Sequence, residues 1–165
     1  MVEVALIDHL HIFKSLTTDE LNKLTDLCSV EDYQVGQSLF IEGDKATDMW
    51  IVIDGSVELR FEMPNSKSAS NESTLSSHSK DIPESLIFGW SCFTPPYRMK
   101  LSAYCASRRC KVLKIDAKKL NKLMVKDTDI GFKIMSYLVQ VVGYRFNQMK
   151  EGVAKFMGIN MMNSW

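Results

Sequence analysis

Excess charge of one sign is absent from this sequence: 20 Lys and Arg residues are balanced by 20 Asp and Glu, for a formal net charge of zero. Such a chain projects no field toward nucleic acid or an anionic lipid surface, which argues against partners held by charge alone. Long apolar runs are missing as well. No stretch has the length needed to span a bilayer, and the N-terminus lacks the cation-then-apolar layout of a secretory signal. Cysteine is scarce. Cys28, Cys92, Cys105 and Cys110 form no CxxC pair, and we read them as reduced thiols of a cytoplasmic protein. No Walker loop, HExxH, Ser-His-Asp or Cys-His grouping is found, so we expect no catalytic residue and no metal site. Cys92 and Cys105 fall in apolar neighbourhoods, where an inert thiol is the default. What is present is a 165-residue chain, 45% apolar, large enough for one domain with its own core. Several of its ten methionines fall in the C-terminal third, where they offer adaptable apolar surface.

Residues 3–13 carry Val4, Leu6, Ile7, Leu10, Ile12 and Phe13, the pattern of a weakly amphipathic opening helix. Thr17-Thr18-Asp19-Glu20 reads as a second helix start, a hydroxyl cap followed by acids, with Leu21, Leu24 and Leu27 at helical spacing. Residues 1–28 are thus predicted to be N-terminal helices. From Val30 the period changes. Short apolar runs alternate with turns at Gly36, Gly43-Asp44 and Asp54-Gly55, the pattern of consecutive strands in an all-β roll. Val57, Leu59, Phe61 and Met63 alternate with Glu58, Arg60 and Glu62, a half-buried strand. The segment 64–83 is rich in Ser, Asn and Lys, with only Leu75 and Ile82 as large apolar residues, and is predicted to be a mobile surface loop. Asp116 is placed to cap a helix over Ala117–Lys126, and Thr128-Asp129 to start a long one running from Ile130 to about Phe156. The expected layout is a β-roll over 29–115, helices over 116–157 and a tail over 158–165.

The stretch Phe88-Gly89-Trp90-Ser91-Cys92-Phe93, continuing through Pro95-Pro96-Tyr97-Arg98-Met99-Lys100 to Leu101-Ser102, organises this layout. A glycine followed by a short helix exposes unpaired backbone N–H groups, and Arg98 and Lys100 supply cations nearby. That combination is a reasonable place for a phosphate.

Several groups of residues together resemble the cyclic-nucleotide-binding domain family, whose members include the catabolite activator protein and protein kinase A regulatory subunits. They are Phe13-x-x-Leu16, Gly36-Gln37-x-Leu39-Phe40-x-Glu42-Gly43-Asp44, Trp50-Ile51-Val52-Ile53-Asp54-Gly55-x-Val57, Phe88-Gly89, and Ser102-Ala103-Tyr104-x-Ala106. The resemblance covers about Phe13 to Phe156 and implies a mainly β fold, a β-roll of jelly-roll type with N-terminal helices and a long C-terminal helix. It also implies a phosphate-binding cassette built from Phe88, Gly89, Trp90, Ser91, Cys92, Arg98, Lys100, Leu101 and Ser102. In relatives that bind cAMP, a Glu after the Phe-Gly accepts the ribose hydroxyl and an Arg pairs with the phosphate. Here those positions fall on Trp90 and Lys100. Lysine keeps the charge but loses the two-point fork, and indole has no acceptor to offer.

Three readings of the pocket stand side by side: a degenerate or empty pocket, a different small ligand such as an aromatic compound or a carboxylate, and a cyclic nucleotide. Some relatives bind haem or an iron–sulfur cluster. The cysteines here lack cluster spacing and His9, His11 and His78 are N-terminal or in the loop, so no cofactor is required by this reading. The DNA-reading domain of the family's transcription factors has no counterpart in Gly158–Trp165, and no recognition helix with a basic face is offered elsewhere. The expectation is a stand-alone regulatory or sensory domain, or alternatively a ligand-free interaction module in a larger signalling assembly.

The long helix carries two apolar series. Ile130, Ile134, Leu138 and Val141 are expected to pack on the roll. Met135, Val139, Val142, Phe146, Met149, Val153 and Phe156 step by four and three, the heptad spacing of a two-helix seam, and predict a parallel homodimer. The competing expectation is that the tail, with Met161, Met162 and Trp165, folds back over that face.

Overall fold

Thr17 fixes the start of the second helix atom by atom. Its hydroxyl accepts from the Glu20 N–H at 3.3 Å while the Glu20 carboxylate accepts from the Thr17 N–H at 2.7 Å, the reciprocal capping box expected from the sequence. The helix it starts, α2 (Thr18–Thr25), follows a shorter α1 (Val4–Ile7). The computed structural model describes residues 2–61, 74–77 and 82–162, without the side chains of 74–77, 156 and 159–162. Met63, most of the 64–83 segment with its His78, the Phe156, Met161 and Met162 side chains, and Trp165 therefore lie outside the described residues.

The opening segment is not one helix over 3–13. α1 ends at Ile7, and a separate 3-10 turn covers His11–Phe13. Ile7, Leu10, Ile12 and Phe13 are all buried on either side of the break.

Among the described residues eight antiparallel strands follow: β1 (Cys28–Gln34), β2 (Ser38–Phe40), β3 (Asp48–Asp54), β4 (Val57–Arg60), β5 (Thr74–Ser77), β6 (Ile87–Phe88), β7 (Ser102–Cys105) and β8 (Arg109–Asp116). They form two four-stranded sheets, ordered β1-β8-β3-β6 and β2-β7-β4-β5. β5 corrects the expectation of an unbroken loop over 64–83. It pairs with β4 from Val57↔Ser77 to Arg60↔Thr74, while β7 occupies the other edge of β4. Backbone donors and acceptors on the open edge of β4 order this polar segment, with no need for an apolar pattern.

Turns between strands demand left-handed backbone. Gly55 has φ +79°, and a Cβ there would lie 2.4 Å from the Arg109 carbonyl oxygen, so only glycine closes the β3–β4 turn against β8. The buried core includes Met49, Ile51, Val57, Phe88, Ala103, Val112, Leu113 and Ile115.

The Asp116 carboxylate accepts from the Lys119 N–H at 2.8 Å and caps α3 (Ala117–Lys126), as its sequence position predicts. α4 spans Thr128–Met162. It does not stop near Phe156, so the expectation of a tail folding back over the helix fails for residues through Met162. A single interior glycine such as Gly158 costs a helix about 1 kcal/mol, too little to end one already propagating. Two ion pairs tie the N-terminal helix to this end of the chain: Lys23 to Asp127 at 2.8 Å and Lys133 to Glu20 at 2.9 Å. Among the described residues, no helix is long and apolar enough to cross a membrane.

Candidate functional site

The cassette begins where β6 ends. Gly89 adopts φ +77° and heads a 3-10 turn over Trp90–Phe93. A Cβ at Gly89 would fall 2.6 Å from Trp50 Cδ1 and 3.1 Å from the Asp48 carbonyl oxygen, so both conformation and space require glycine. Trp50 stacks on Phe88 with ring centroids 6.3 Å apart, and Phe40 leans on both rings at 5.9 and 6.0 Å. This aromatic cluster sets the position from which the turn departs.

Beside it lies a cavity of about 260 Å³. Phe88, Gly89, Trp90, Ser91, Lys100 and Leu101 of the predicted cassette line it, together with Phe40, Leu59, Phe61 and Met99. Three cassette residues do not line it. Arg98 is exposed and donates from Nη1 to the Gly43 carbonyl at 2.8 Å. Its segment is zipped to the Gly43–Ala46 turn by the Gly43 N–H to Met99 O and Ala46 N–H to Tyr97 O bonds, and that pairing directs Arg98 away from the cavity. Ser102 is fully buried, with its Oγ accepting from the Glu42 N–H at 2.8 Å. Cys92 turns to the other side, where burial pushes its thiol up to about 12.

Cys92 lines a second, wider groove of about 840 Å³ between the start of β3, α3 and the start of α4. This groove is larger but open. Besides Cys92, none of the cassette residues lines it, and its cations Lys45 and Lys118 share it with the acids Asp48 and Asp116. The smaller cavity is the candidate site.

Two residues of α4 complete that cavity, Arg145 and Met149. Sequence reasoning missed Arg145, which is only 4% exposed. The signal was available: steps of four, three and four carry the inner series from Ile134 through Leu138 and Val141 to Arg145. Its guanidinium donates from Nη2 to the Ser85 carbonyl at 2.7 Å and from Nη1 to Gln148 Oε1 at 2.9 Å. Burial pulls its pKa down to about 10, which leaves it charged at neutral pH. Met149 joins a wall of the cavity to the outer face on which it was expected to lie. On that face Met135, Val139, Val142, Phe146, Met149 and Val153 are all exposed, and Phe132 and Met157 extend the row.

All four cysteines are free thiols, and burial raises Cys28 and Cys110 to about 12 as well. Among the described residues, no group of three or more His, Cys, Asp or Glu side chains is placed to hold a metal ion.

No family model and no curated protein matches the chain. Solved structures do. A protein from Geobacter metallireducens GS-15, named for cyclic nucleotide binding, superposes with a TM-score of 0.71 at 22% identity, over 88% of this chain and 99% of its own. The regulatory domain of Toxoplasma gondii PKA, crystallised with cAMP, gives 0.59 at 18% identity, over 81% of this chain and 48% of its own. The catabolite activator protein of Thermus thermophilus gives 0.60 at 14% identity, over 84% and 61%. This chain thus spans about half the length of the Toxoplasma chain and three fifths of the Thermus one. Two antiparallel sheets, a glycine-headed turn after β6 and a long helix closing the cavity agree with these matches, and the chain has the fold of the cyclic nucleotide-binding domains.

Proposed function

We propose that this chain is a cytoplasmic, non-catalytic regulatory domain that keeps the cyclic-nucleotide-binding fold without the usual contacts to cAMP. One observation carries the reading: the cassette cavity holds about 260 Å³ and is walled by Trp90, with Lys100 as its cassette cation. Dedicated ligand sites run from about 300 Å³ upward, so a nucleotide is poorly accommodated. Losing a charged acceptor for a ribose hydroxyl costs about 1.5–3 kcal/mol, and exchanging the phosphate fork of an arginine for a point charge adds to that. The Toxoplasma relative was crystallised with cAMP, which makes cAMP the proper control ligand.

Thermal shift tests the reading. Micromolar cAMP should leave the Tm unchanged, because only a ligand well above its Kd stabilises the folded state. A clear rise at micromolar cAMP would sink it. Trp90→Glu together with Lys100→Arg should then create cAMP binding measurable by calorimetry.

The exposed apolar row on α4 favours a second reading, a ligand-free dimeric interaction module pairing in parallel through this helix. Light scattering at tens of micromolar tests it, and a monomeric mass ends it.

A further inference from the structure

The cavity can be read for the class of molecule it takes, a step that rests on the proposal above that the pocket lacks the usual contacts to cAMP. Size comes first. A cavity of roughly 150 Å³ accommodates one benzene, so about 260 Å³ suits one fused ring pair or a substituted single ring. A purine with its sugar and cyclic phosphate exceeds that.

Chemistry of the wall comes second. Phe88, Met99 and Leu101 are apolar, and Trp90 presents an indole whose one polar group is a donor. Ser91 adds one hydroxyl but no charged acceptor, whereas aromatic faces pack well on a flat ring.

Charge comes third. The charged residues lining the cavity are both cations, Lys100 and Arg145, and among the described residues no Asp or Glu lines it. Arg145 is occupied with Ser85 and Gln148 and adds a fixed positive background. Lys100 is exposed at the rim, and its ammonium makes no hydrogen bond or ion pair with any described residue. An ammonium at the mouth of an apolar cavity is best satisfied by an anion that arrives with the ligand.

We infer that this cavity binds a small aromatic monocarboxylate, with its ring against Trp90 and Phe88 and its carboxylate paired with Lys100. A sterically matched pair of probes isolates the charge. Calorimetry on the full chain would compare 2-naphthoate, 2-naphthamide and cAMP, with Lys100→Gln as the variant; Lys100 is exposed, so the fold is retained. The acid should bind roughly two- to fivefold tighter than the amide, the range of an ion pair at an exposed ammonium. Lys100→Gln should erase that preference and leave the amide unaffected. Equal affinity for acid and amide, or an acid affinity indifferent to Lys100→Gln, overturns the carboxylate assignment while the non-nucleotide pocket survives. Tight cAMP binding overturns the pocket reading itself. No heat from any of the three, with an unchanged circular dichroism spectrum, overturns the ligand and leaves the dimeric module.

Discussion

Along α4, Ile130, Ile134, Leu138 and Val141 are shut away from solvent, whereas Phe132, Val139 and Phe146, a step around the same helix, are 72%, 68% and 66% exposed. Both rows are equally apolar in sequence, and both step by threes and fours. The difference is set by what α4 packs on, namely α3, the His11–Phe13 turn and the Pro83–Leu86 segment, which leave only the inner row covered. Apolar spacing therefore tells which residues want a partner, and only packing tells whether the chain supplies one. The outer row is left for another molecule under the dimer proposal.

Substitutions in the two rows sharpen this contrast. Ile134→Ala, at a fully buried position, should destabilise the protein by about 2–5 kcal/mol, read from denaturant unfolding. A loss under 1 kcal/mol would show that the inner row is not the anchor. Arg145→Ala comes next, because it removes the guanidinium donor to the Ser85 carbonyl and the packed stem behind it. The expected cost is about 1.5–3 kcal/mol by the same measurement.

A pH titration probes the ion-paired flank of the inner row. The Thr17 N–H and then Lys133 hold the Glu20 carboxyl down to about 2, against an ordinary 4.5. A carboxylate with a depressed folded pKa stabilises the fold above its ordinary value, and that contribution is lost as pH falls from 4.5 toward 2. Melting temperatures across that window should fall less steeply in Glu20→Gln than in the unmutated protein.

The smallest change in stability belongs to the outer row. Val142→Glu with Phe146→Glu should leave the low-concentration stability within about 0.5 kcal/mol, as surface substitutions do. The same pair should halve the mass seen by light scattering, since like charges would meet across a two-fold seam. A large loss of stability in the monomer would mean that the row has an intramolecular partner.

Legibility followed how local each determinant is. The Thr17 box, the Asp116 cap and the turns at Gly43, Gly55 and Gly89 were readable because each is decided within a few residues. β5 was not, since its order comes from the edge of β4 and its own composition is polar. The break in the opening helix left no mark in an apolar pattern that a single helix would also have fitted. In the cavity, Trp90 and Lys100 were legible from family spacing. Arg98 was misread because the pairing of its segment with the Gly43 turn is a tertiary fact. Arg145 was readable in principle, as the cation that continues an apolar row, but a charged side chain on such a row is ordinarily taken as its end.

The ion pairs Lys23–Asp127 and Lys133–Glu20 join residues 104 and 113 positions apart. They join α2 to the root of α4, so these two segments are expected to open as one unit, apart from the strands that lie between them in the chain. Subglobal units of this kind exchange their amide protons together. Deuterium exchange of the folded protein should therefore give the protected amides of α2 and of the first turns of α4 one common free energy of opening.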